Sequence, residues 1–190
     1  MSATKLLRTI AIVALIRFCA AFIDDQFLYT FDFNKYISYF YFPAGITVMS
    51  MLIFGYQAAF GLALGSFSFL MMTNSNGALI NGTFGLITPI TALIAYFMIA
   101  YAKFGRIKLE PWSDYRLGEV FSFFMIYSLL NAIAHILGMA YIIHFSTITL
   151  QSITAKFIGN LMGCLTLFIG MSLIMWIFLL LHHQKTKQKI

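Results

Sequence analysis

Charged residues are scarce in this chain: of 190 residues only 9% are Asp, Glu, Lys or Arg, with 6 acids against 12 bases. A soluble domain ordinarily carries about 25% charge, so water is excluded as the solvent for most of this surface. The apolar share of 61% and the mean hydropathy of +0.89 agree. Cysteine is limited to Cys19 and Cys164, both inside apolar segments and without metal-ligand or CxxC spacing. That excludes a disulfide framework, and both read as small core residues. Catalytic constellations are also missing: there is no Ser, His and acid set, no paired carboxylates within the apolar runs, no HExxH and no phosphate-cradling glycine loop. The chain is therefore not expected to be an enzyme. No internal repeat or low-complexity tract is present, which removes the simplest sign of an inverted-repeat transporter.

What the chain does have is long apolar runs. A membrane span needs roughly 20 mostly apolar residues, and apolar density with loop chemistry gives six: 6–23, 36–54, 57–72, 79–102, 120–144 and 153–181. The expected fold is an all-α, polytopic transmembrane helical bundle. The third run is short, and its full crossing or re-entry stays open, although Gly61 and Gly65 would let it approach a neighbour closely. Lys5 and Arg8 open the chain and could suggest a cleaved signal peptide. Arg17 interrupts the run, however, and no clear A-x-A site follows, so this segment is kept as the first span.

Lys and Arg beside spans stay in the cytoplasm. Lys5 and Arg8, then Lys103, Arg106, Lys108 and Arg116, then Lys185, Lys187 and Lys189 all fall on one side of a six-span arrangement. Lys35 and Lys156 fall on the other with Asp24, Asp25 and Asp32. Both termini are thus expected in the cytoplasm, with residues 1–181 forming one membrane domain and 182–190 a basic tail. The basic excess follows from topology, so no nucleic-acid partner is implied. The loop between Lys103 and Glu119 mixes charges around Pro111, as a solvated connector or a docking surface would.

Ionisable and amide groups within hydrocarbon need partners or water, so they mark candidate sites. Arg17 lies about 9 Å below the outer end of its span at 1.5 Å per residue. Its side chain either snorkels outward or pairs with Asp24 or Asp25, or else forms a buried anion-binding group. Asn131 and His135, four apart, share a helix face. Asn160 and the Pro43-Ala44-Gly45 break fall at a similar depth, and the Pro43 ring frees a backbone carbonyl, as does that of Pro89. Arg17, Pro43, Gly45, Asn131, His135 and Asn160 are therefore the candidate ligand-binding residues of an outward-facing recess. The competing reading is a set of separate contacts between helices. Thr73 to Gly77, with Asn81, Gly82 and Thr83, add hydrogen-bonding groups on that side, though turn chemistry accounts for most of them. Tyr36, Tyr39 and Tyr41 are expected in an outer interfacial belt. No metal or cofactor is expected: His182 and His183 lack metal-binding spacing, and no second histidine is placed to complete haem ligation by His135.

Two stretches carry a resemblance. Phe42-Pro43-Ala44-Gly45-Ile46 is followed by Leu52-Ile53-Phe54-Gly55-Tyr56 and by Gly61-Leu62-Ala63-Leu64-Gly65-Ser66-Phe67; later comes Phe157-Ile158-Gly159-Asn160-Leu161-Met162-Gly163. In this order they resemble the first family of bacterial membrane-associated sensor (MASE-type) domains, with Asn160 where that family has an acidic residue. The resemblance implies a sensory or ligand-binding module of a bacterial inner membrane. It would signal through a separate membrane partner such as a kinase or cyclase, in response to an unknown small ligand. The alternatives are a small-molecule transporter, or a transporter component, and a structural assembly factor for a membrane complex.

Overall fold

The computed structural model describes residues 3–34, 37–73, 78–104, 116–142 and 149–187. Side chains at 29, 33, 34, 78, 79, 104 and 180–187 are not described. Lys35, Tyr36, residues 74–77, Arg106, Lys108, Pro111, His144 and Lys189 lie outside the described residues, as do the side chains of His182, His183, Lys185 and Lys187.

The architecture is all-α: α1 (Ala3–Phe27), α2 (Phe42–Phe54), α3 (Ala58–Thr73), α4 (Ala78–Phe104), α5 (Leu117–Ile142) and α6 (Leu150–Lys187). Two short antiparallel strands, β1 (Asp32–Asn34) and β2 (Ile37–Ser38), lie in the α1–α2 connection. Five helical stretches are long and apolar enough to cross a membrane: Ala3–Phe27, Phe42–Thr73, Ile80–Lys103, Leu117–Ile142 and Leu150–Leu179. Their outward faces are apolar, as Leu7, Phe60, Leu86, Met98, Leu129 and Phe178 show. Lipid, not water, suits such a surface.

The second stretch, Phe42–Thr73, is α2 and α3 joined by a one-turn 3-10 segment at Gly55–Gln57, and the chain reverses there. Gly55 has φ 67°, a left-handed conformation open to glycine without strain. Packing fixes the directions. Gly61 and Gly65 of α3 press on Ile10 and Ala14 of α1 in ascending order, so those two helices run alike. Asn81 bonds back to the Leu70 carbonyl, Thr91 meets Asn131, and Asn160 meets the Ser128 carbonyl, so α3 to α6 alternate. α2 runs with α6, because Tyr41 meets Gly159 and Gly45 meets Gly163 and Leu167.

The expected span 36–54 is corrected in one respect: its helix begins only at Phe42, with Pro43 in the first turn. There the missing N–H has no helical partner to lose, so Pro43 starts a helix and does not break one. Among the described residues before it are the strand pair and a turn held by local hydrogen bonds and by one to α6. Tyr39 N–H donates to Phe31 O at 2.8 Å, Ser38 Oγ donates to Phe40 O at 2.7 Å, and Tyr41 N–H donates to Gly159 O at 3.0 Å. Pro89, by contrast, lies inside continuous α4.

The core runs through the bundle from Val13 and Leu62 to Tyr96, Phe123, Phe124 and Cys164. Cys164 is the small core residue expected, whereas Cys19 is exposed on the outside of α1. A second cluster at the end bearing the strands buries Ile37 against Ile136, Met139 and Ala155. The far half of α6, Leu173 to Leu179, is exposed on every side.

Candidate functional site

The site is a layer of buried polar side chains to which every helix contributes. Arg17, on α1, is 3% exposed. Its Nε donates to Ser66 Oγ of α3 at 2.9 Å, and its Nη2 donates to Tyr41 Oη at 3.1 Å. Nη1 is buried and makes no hydrogen bond. Arg17 therefore neither snorkels outward nor forms an ion pair with Asp24 or Asp25. Two of its nitrogens are fixed by neutral hydroxyls, and the third is left facing the interior. Gly65 makes this possible, since α3 lies so close that a Cβ there would strike the Arg17 Cβ and the Ala14 carbonyl.

Tyr41, expected in an outer interfacial belt, is partly buried. It turns inward from the start of α2, and its ring is flanked by two cations. The Arg17 guanidinium carbon is 5.8 Å from the ring centroid and the Lys156 ammonium 3.9 Å from it. The sequence places Lys156 only among the charges of the outer side, yet it is 3% exposed, in the second turn of α6. Periodicity carried a signal for it: Lys156, Asn160 and Gly163 recur at four and three residues, so the face that turns Gly163 inward turns Lys156 inward too. Among the described residues no carboxylate lies within ion-pair distance of Arg17 or Lys156; the ion pair present, Lys103 with Glu119 at 2.7 Å, ties α4 to α5 elsewhere.

The acid nearest the layer is Asp24. Its charge acts on both Arg17 and Lys156, while its Oδ1 accepts the Phe42 amide at 3.0 Å. A carboxylate at the first amides of α2 satisfies a donor the helix leaves unpaired and complements its dipole. Asp32, in β1, is more solvated; partial desolvation nonetheless raises its carboxyl pKa, against the lowering effects of Ser38 and Lys156.

α5 supplies the other wall. Tyr127, Asn131 and His135 recur every four residues on one buried face. Asn131 Oδ1 accepts from Thr91 Oγ1 of α4 at 3.2 Å, and Asn160 Nδ2 donates to Ser128 O at 3.3 Å. Asn131 Nδ2, His135 Nδ1 and Asn160 Oδ1 are left without partners. Tyr127 Oη and Ser128 Oγ likewise make no well-formed hydrogen bond, although Thr47 of α2 lies beside the first and Cys164 beside the second. The His135 ring packs on Phe84 at 5.7 Å between centroids. Arg17 acts electrostatically on both Tyr127 and His135, and Lys156 on His135.

Four expected residues, Arg17, Asn131, His135 and Asn160, thus carry buried polar atoms in this layer. Pro43 and Gly45 have another role. Pro43 is buried and its carbonyl accepts from Thr47 Oγ1 at 3.0 Å. Gly45 lies against the Gly163 backbone, where a Cβ would collide, so it is a packing contact between α2 and α6 and not a ligand-facing surface. Asn81 also serves packing, closing α3 onto α4. Tyr41, Ser66, Thr91, Tyr127, Ser128 and Lys156 are residues of the layer that the sequence did not single out as site residues.

The chain is therefore an all-helical protein with membrane-compatible helices around a charged, incompletely satisfied interior. No family model, curated protein or solved structure matches it. Among the described residues no group of three or more His, Cys, Asp and Glu side chains is placed to hold a metal ion.

Proposed function

We propose that this protein is a bacterial inner-membrane sensory module, resembling the MASE-type sensor domains, that binds a small molecule in its polar layer and passes the signal to a separate membrane protein. In this reading the chain crosses six times, with both termini in the cytoplasm. Two observations support that topology: the helices alternate in direction, and basic residues gather at the ends of alternate segments.

The observation that carries the functional reading is the set of buried polar atoms lacking partners: Arg17 Nη1, Asn131 Nδ2, His135 Nδ1 and Asn160 Oδ1, drawn from α1, α5 and α6. A buried polar group without a hydrogen bond costs about 1–3 kcal/mol, and several in one layer are an expensive arrangement for a scaffold. A bound molecule that satisfied them would favour the helix arrangement that best holds it, and only that differential affinity can be transmitted. The elements that would respond are α2 and α6, which meet backbone to backbone at Gly45 and Gly163.

The test is capture of partners from native membranes with the tagged chain after cross-linking. Recovery of a kinase or cyclase supports the reading. Uptake of a solute by the purified chain in liposomes, with no such partner recovered, would replace sensing by transport.

A further inference from the structure

We infer that the ligand of the polar layer is a small organic monocarboxylate, its anionic end set between the Arg17 guanidinium and the Lys156 ammonium. This rests on the ligand-binding reading above and narrows it to one chemical class.

Charge balance comes first. Arg17 and Lys156 are each 3% exposed and near enough to act on one another. Like charges do not settle together in an apolar interior unless negative charge offsets them. Asp24 is the one carboxylate whose charge acts on both, and it spends an oxygen on the Phe42 amide. Asp32 also acts on Lys156, but from an exposed position where water screens it; within the buried group two cations therefore face one anion, one positive charge in excess. A monoanion closes that balance, whereas a dianion such as sulfate or hydrogen phosphate overshoots it.

Geometry comes second. The guanidinium is held by Ser66 and Tyr41 through Nε and Nη2, which fixes its plane and leaves Nη1 as a donor without a partner. The Lys156 ammonium stands over the Tyr41 ring, so that ring lies against both cations. A carboxylate has two oxygens, one for each donor, and hydrogen bonds to ionised donors are the strong ones. The remaining unpartnered atoms suit the rest of the molecule: Asn131 Nδ2 donates, Asn160 Oδ1 accepts, and His135 Nδ1 completes the pair's surroundings. That pattern favours a carboxylate bearing a hydroxyl or keto group over a plain alkyl acid.

The experiment uses the full chain in lipid nanodiscs, with thermal unfolding and direct binding of radiolabelled lactate as readouts. Acetate, pyruvate, sulfate, phosphate and uncharged lactamide compete at constant ionic strength made up with sodium chloride. The expected result is saturable lactate binding, displaced by pyruvate, weakly by acetate, and not by sulfate, phosphate or lactamide. Arg17→Gln and Lys156→Gln should each weaken it roughly tenfold or more; competition on the unaltered chain decides the matter if either variant fails to fold. Absence of saturable lactate binding, or displacement as effective by sulfate or phosphate, overturns the inference. Equal displacement by lactamide removes the charge argument while leaving ligand binding in place, so the two readings fail separately.

Discussion

At the scale of single residues, function concentrates where an apolar segment carries a group that water would normally hold. Arg17, Asn131, His135 and Asn160 stood out in the sequence for that reason, and each has a buried polar atom without a partner. Tyr41 and Lys156 did not stand out, because a tyrosine or lysine near a segment end reads equally well as an interfacial anchor. Only the inward turn at the start of α2 and the face of α6 place them in the interior. Tyr41→Phe keeps the ring beneath Lys156 and removes the hydroxyl that accepts from Arg17. It should cost about 1–3 kcal/mol in unfolding measured in detergent, and Tyr41→Ala distinctly more. Arg17→Lys should not restore a lost Arg17, since an ammonium cannot meet Ser66 and Tyr41 in the fork geometry of a guanidinium.

At the scale of elements, small residues decide which helices touch. The sequence showed Gly61 and Gly65 as a surface for close approach, and α1 occupies it. It did not show that Gly45 and Gly163, far apart in the chain, meet each other. A Cβ at Gly159 or Gly163 would strike the carbonyl of Ser38 or Tyr41, whereas one at Gly170 meets nothing within 4 Å. Gly163→Ala should therefore lower stability by about 1–3 kcal/mol. Gly170→Ala, on the same helix, should be neutral or stabilising by up to about 1 kcal/mol through helix propensity; paired melting curves compare them directly. The ion pair between Lys103 and Glu119 is partly exposed, at 20% and 27%. Glu119→Gln should accordingly change stability by no more than about 1 kcal/mol.

At the scale of the whole molecule, helix length and direction bear on the number of crossings. α2 has 13 residues and α3 has 16, about 20 Å and 24 Å at 1.5 Å per residue, each shorter than the roughly 30 Å hydrocarbon core. In the proposed six-crossing topology the reversal at Gly55–Gln57 makes them a down-and-up pair. Reporter fusions at the two ends should both report the cytoplasm, and a cysteine at Asp25 should label only from outside. Termini on opposite faces would reduce the count to five.

The sequence by itself determined the solvent, the helical class and the places where polarity is anomalous, because each follows from local composition and the 3.6-residue period. Tertiary structure alone decided that Arg17 bonds to Ser66 and Tyr41, that Lys156 shares their layer, and that Asp24 caps α2. The hydrogen-bonded pairs among them join residues 18 to 49 positions apart, and such distant contacts are set by which helix faces pack together. Local pattern names a face; only the packed bundle chooses its neighbour.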